Sequence, residues 1–106
     1  MIKKILFISI LFFSVVGFSQ KKSLQELTAF PNPFSNTTAI SFNTNSSQSV
    51  SINIKNVLGK VVYSKKINAT SGKNTIPFYR NNLRSGIYIY TIQTNKDFIS
   101  KRFVIK

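Results

Sequence analysis

Ala29-Phe30-Pro31-Asn32-Pro33-Phe34-Ser35-Asn36 divides this chain into two unlike parts and marks where an ordered domain begins. Each proline fixes φ at about −65° and pushes the residue before it out of the helical region. The stretch from Phe30 to Phe34 is therefore expected to run extended, flanked by two phenylalanines that serve as apolar anchors. The residues before it read as an export signal and a spacer. Those after it read as a succession of short strands.

In Thr37–Thr44, Thr38, Ile40 and Phe42 share one face and Ser41 and Asn43 the other, the pattern of a half-buried strand. Val50, Ile52 and Ile54 alternate with Ser49, Ser51, Asn53 and Lys55 in the clearest strand of the chain. Asn56-Val57-Leu58-Gly59 fits a type I turn closed by a glycine that takes positive φ and forms a bulge. A return strand is expected over 60–67 and another over 74–78. Pro77 cannot donate to a ladder, which sets the latter at a sheet edge or end. Gly86 closes the loop 79–85, and Ile87–Thr94 is apolar on both faces, as a central strand would be. Asn95-Lys96-Asp97 turns the chain into a last strand, Phe98–Ile105. With no helical periodicity after Pro33, these intervals predict an all-β fold, a small antiparallel Ig-like β-sandwich of six to seven strands.

The N-terminus has different physics. Lys3 and Lys4 precede an apolar run, Ile5–Val16, and Gly17 and Ser19 are small residues at signal-peptidase spacing. Cleavage after Ser19 would leave Gln20 as the new N-terminus. Ile5–Phe18 is shorter than the ~20 residues of a spanning helix, so no permanent membrane span is expected once the signal is cut. The predicted organisation is a helical signal peptide over 1–19, a mobile linker over 20–29 and the sandwich domain over 30–106. Within the linker only Leu24 and Leu27 are strongly apolar. Ser23 and Glu26 have capping-box spacing, enough for one marginal helical turn.

Composition removes most chemistry. The chain has no histidine and no cysteine, so the usual general base, thiolate catalysis, disulfides and Cys-based zinc sites are all absent. Its two carboxylates, Glu26 and Asp97, fall in the linker and in a hairpin turn, which gives no reason to expect a catalytic pair. The four glycines are isolated, so no phosphate loop forms. No enzymatic activity, cofactor or metal is expected. A net charge of +13, falling to +11 if Lys3 and Lys4 leave with the signal, favours anionic partners. The lysines are dispersed rather than clustered, so specific nucleic-acid binding is not expected.

Two surface features admit both a structural and a functional reading. Ile99, Phe103 and Ile105 share one face of the last strand, with Lys101 among them, while Arg102 and Lys106 lie on the other. An inward lysine discourages an edge strand from pairing with other chains, and this reading leads. The same residues could also form a basic and apolar recognition strip. Tyr63, Tyr79, Tyr88 and Tyr90 fit core positions better than a ligand face. Were they exposed, the alternative would be a small secreted adhesin or anionic-glycan-binding β-sandwich.

Taken in chain order, these segments resemble the C-terminal sorting domain of the bacterial type IX (Por) secretion system, type A. The resemblance runs over 30–106. It comprises Phe30-Pro31-Asn32-Pro33-Phe34, Thr38-Ala39-Ile40-Ser41-Phe42, Val50-Ser51-Ile52-Asn53-Ile54 and Asn56-Val57-Leu58-Gly59-Lys60-Val61-Val62. It continues with Leu83-Arg84-Ser85-Gly86-Ile87-Tyr88 and ends with Lys101-Arg102-Phe103-Val104-Ile105-Lys106. It implies a non-catalytic address label, exported through the periplasm on a cleaved signal and recognised by the outer-membrane secretion machinery. A sortase would then remove the domain and commonly link cargo to anionic lipopolysaccharide, leaving the product secreted or at the cell surface. The proline box carries over as the domain entry, Gly59 and Gly86 as turn glycines, and Lys101, Arg102, Phe103, Val104 and Lys106 as the terminal signal. Where the family has an aromatic-acid pair near the fourth strand, this chain has Phe78-Tyr79-Arg80. The ten residues from Gln20 to Ala29 leave no room for a passenger, so a free-standing sorting domain or a remnant of a longer protein is expected.

Overall fold

The computed structural model describes residues 23–106. The expected signal peptide and its cut at Ser19 and Gln20 lie outside them. Seven strands succeed one another: β1 (Leu24–Phe30), β2 (Thr37–Thr44), β3 (Gln48–Lys55), β4 (Val61–Ala69), β5 (Gly72–Tyr79), β6 (Gly86–Gln93) and β7 (Phe98–Ile105). They form two antiparallel sheets, β1-β2-β5 and β4-β3-β6-β7. The fold is the expected all-β sandwich. Unlike the constant-type immunoglobulin arrangement, it pairs the fourth strand with the third instead of returning it to the first sheet.

The core is built by period-two alternation. Ile40 and Phe42 from β2, Val50, Ile52 and Ile54 from β3, and Tyr88, Tyr90 and Ile92 from β6 are all buried. Phe103 is fully buried at the centre of an aromatic cluster. It stacks on Tyr90 at 5.1 Å and meets the rings of Phe34 at 5.2 Å and Phe78 at 5.7 Å. Burial pushes the Tyr90 phenol above its ordinary pKa, which keeps the ring neutral. Tyr88 anchors the start of β6 by donating its hydroxyl proton to the Arg84 carbonyl at 2.8 Å. That back-bond, from early in this strand to the loop before it, is a recurring device of such sandwiches.

The turn at residues 56–59 forms as expected. The Gly59 N–H donates to the Asn56 carbonyl at 3.0 Å, and Gly59 sits at φ +86°. The register between β3 and β4 slips beyond Ile54, so the bulge falls there. Gly86 opens β6 at φ +150°, a conformation that L side chains rarely adopt. Pro77 lies in β5, which is an edge strand, as the missing donor required.

The expected linker over 20–29 is corrected from Leu24 onward. Those residues are β1, paired along β2, with Leu24 and Leu27 fully buried. Glu26 takes φ +57°, and the register shifts between Gln25 and Thr28. This bulge lets two leucines three residues apart face the same way. The start of the strand is held by Asp97 Oδ2, which accepts from the Ser23 N–H at 2.8 Å and the Ser23 hydroxyl at 2.5 Å.

Candidate functional site

The proline box and the C-terminal strand, distant in sequence, meet at one sheet edge. β7 pairs with β6 on one side only, so its other side would present free peptide groups. Asn32 covers them in the manner of a strand. Its Nδ2 donates to the Arg102 carbonyl at 3.3 Å, and its Oδ1 accepts the Val104 N–H at 2.9 Å. Phe34 continues the pairing as a short parallel bridge to Ile105. The Phe34 N–H donates to the Val104 carbonyl at 3.0 Å, and the Lys106 N–H donates to the Phe34 carbonyl at 2.8 Å. Both X–Pro bonds of the box, Phe30–Pro31 and Asn32–Pro33, are cis. The Thr38 hydroxyl donates to the Pro31 carbonyl at 2.7 Å and ties the box to β2.

Of the two expected anchors, only Phe34 is one. Its ring is buried between Phe78 and Phe103, whereas Phe30 is 80% exposed. Phe30 pairs with Ala39 at the end of β1, where its side chain points outward while the backbone stays in the ladder. The expected recognition strip also divides. Lys101, Arg102 and Lys106 are exposed and Val104 is half-buried, but Phe103 is wholly interior and cannot touch a partner. Lys101 pairs with buried Tyr90 yet remains exposed, since an edge position lets its long stem reach water.

Arg80 is the residue that sequence reasoning missed. Its Nε donates to the Leu83 carbonyl at 2.8 Å, and its Nη2 to the Ser85 hydroxyl at 3.0 Å. Nη1 reaches the main-chain oxygens of Lys106 at 2.6 Å and Ser35 at 3.3 Å. One guanidinium thus joins the 79–85 loop, the exit of the proline box and the end of β7. With the Tyr88 hydroxyl bond to Arg84, it holds that loop in place. Only three of the fifteen basic residues are arginines, and a planar fork suits several carbonyls at once better than an ammonium does. That scarcity was the available signal. Arg80→Ala is expected to cost about 1–3 kcal/mol in urea unfolding, with little rescue by Arg80→Lys. Equal stability of the arginine and alanine forms would show that the clamp carries no load.

The four tyrosines divide. Tyr88 and Tyr90 are buried in the core, as expected, whereas Tyr63 is half-buried and Tyr79 is exposed, so two of the four side chains named for the glycan-binding alternative are closed to a ligand. Among the described residues, no three His, Cys, Asp or Glu side chains gather to hold a metal, and no helix is long and apolar enough to cross a membrane.

Fold and edge together define a small β-sandwich whose C-terminal strand is braced by the proline box. The family model of the secretion system C-terminal sorting domain matches residues 28–106, and the chain belongs to that family. The family is a type IX secretion sorting signal, not a catalytic one, and it implies export toward the cell surface or beyond and interaction with the secretion machinery. No curated protein is similar enough to the chain to count as a match.

Proposed function

We propose that this chain is a non-enzymatic sorting signal read by the type IX outer-membrane translocon and then by its sortase, after a signal peptide over 1–19 has carried it into the periplasm. The observation that carries this reading is the lacing of Asn32 and Phe34 onto Arg102–Lys106. The two segments most typical of the resemblance form one braced unit. Lys101, Arg102 and Lys106 stand exposed on it as a basic strip. They steer an acidic receptor surface, with anionic lipopolysaccharide as the acceptor for released cargo. Backbone pairing with a partner strand cannot use the outer edge at 102–106, because the proline box already occupies it.

The test uses the full chain with a fluorescent reporter inserted between Gln20 and Lys21, expressed in a host with an intact type IX system and in the same host lacking the translocon. Reporter at the surface or in the medium of the first, and retained in the periplasm of the second, is the expected result. The same distribution in both hosts refutes the sorting role.

A further inference from the structure

We infer that the outer face of the four-stranded sheet, at the end carrying the β3–β4 hairpin, is the docking surface for a partner protein that presents apolar side chains within an acidic surround. This deepens the sorting reading and rests on it.

The face changes character along its strands. Toward the β6–β7 turn it is mainly polar, with Phe98 the one exposed apolar side chain at the start of β7, and its polar side chains bond one another. The Ser64 hydroxyl donates to Asn53 Oδ1 at 2.8 Å, and Thr91 and Ser100 share a hydroxyl bond at 2.6 Å. Toward the hairpin the same strands become apolar. Cross-strand pairing places Val61, Lys55, Ile89 and Arg102 in one row and Ile87 and Val104 in the next. Val61, Ile87 and Ile89 are each between 37% and 47% exposed. Val57 and Leu58 stand in the adjoining turn at 71% and 89%. Sheets with one solvated face ordinarily alternate apolar-in and polar-out. The polar half of this face shows that the fold tolerates that pattern here, so the isoleucines serve something other than packing. A contiguous exposed apolar patch of this kind marks an interaction site.

Charge selects the occupant. The cations set into the patch are Lys55 and Arg102, with Lys60 exposed in the turn. Neither acid is near: Glu26 is in β1 of the other sheet, and Asp97 is in the turn at the polar end. A second copy docking face to face would set like charges against each other in a closed two-fold contact. A small molecule lacks an enclosure, since the groove lined by Ile89, Ser100, Lys101 and Arg102 is shallow and open. An acidic-rimmed apolar protein surface satisfies both the isoleucines and the cations. Short β-branched side chains in fixed registered rows also suit a rigid protein counter-surface better than a fluid bilayer.

The experiment uses the same full-chain reporter in the type IX host, with Ile89→Glu and Lys55→Glu on the patch, and Ser51→Glu and Gln93→Glu on the polar half of the same face. Each purified variant is melted to verify folding, and Lys55→Glu decides the matter if Ile89→Glu fails to fold. The patch variants are expected to place about tenfold less reporter outside the cell, the loss of one anchoring contact, while the polar-half variants stay near wild type. Wild-type export together with undiminished export of the patch variants overturns this inference alone. A wild-type chain that stays inside overturns the sorting reading and this one with it. Binding of the purified chain to anionic phospholipid vesicles, or its dimerisation in sedimentation, would replace the protein occupant if Ile89→Glu abolished either.

Discussion

Phe103→Ala is expected to unfold the domain at temperatures where the wild type is fully folded. Truncating a buried phenylalanine costs about 3–5 kcal/mol from lost transfer energy and the cavity left behind. Phe103 is worse placed than most, because its ring is the shared neighbour of Phe34, Phe78, Tyr88 and Tyr90. Removing it takes a ring neighbour from each of the four and leaves Phe34, the anchor of the proline box, with Phe78 as its remaining aromatic contact. Domains of this size hold only about 5–15 kcal/mol in total, so the melting midpoint should fall by roughly 15 °C or more. A thermal melt followed by circular dichroism is the measurement, and a shift of only a degree or two would mean that Phe103 is not the hub. The same logic bears on signal mapping. Deleting 103–106 also removes Ile105 from the core, so lost export after that deletion would report unfolding as readily as a missing address. Changes at exposed Lys101, Arg102 and Lys106 separate the two effects.

Leu27→Ala should cost about 2–5 kcal/mol, although the residue sits in a stretch that reads as spacer. It is fully buried with Leu24 beneath the edge of the first sheet, and β1 completes that sheet against β2. If the segment were a tether, alanine there would change stability by no more than about 0.5 kcal/mol. Urea unfolding of the single variant discriminates cleanly between these values. The consequence for dissecting the protein is direct: a fragment begun at Phe30 would uncover the edge of β2 and empty two core positions.

The contrast between these two residues explains what could be read from the sequence. β2 and β3 keep a strict period of two, and alternation alone places Ile40, Phe42, Ile52 and Ile54 inside. β1 breaks that period at Glu26, where the bulge shifts the register, so Leu24 and Leu27 fall three apart and imitate a helical turn. At the site, the proline box and the terminal strand were legible as separate motifs. That Asn32 bonds across to Arg102 and Val104 was not, because a long-range side-chain pairing leaves no trace in spacing. Arg80 was hidden for the same reason. The central place expected for β6 holds, between β3 and β7, although of its two apolar faces only the one carrying Tyr88, Tyr90 and Ile92 is buried and Ile87 and Ile89 stand exposed.

Asn32 has one more property, set by its neighbour. An amide that stands in for a peptide group must stay an amide, since an aspartate there would turn an acceptor toward the Arg102 carbonyl and open the edge. Asparagines commonly age to aspartate when the next residue's nitrogen attacks the side-chain carbonyl and closes a succinimide ring. Here that nitrogen belongs to Pro33 and carries no hydrogen to give up. The second proline therefore acts as a chemical preservative for the stitch beside it, a useful trait in a domain of a family exported toward the cell surface or beyond.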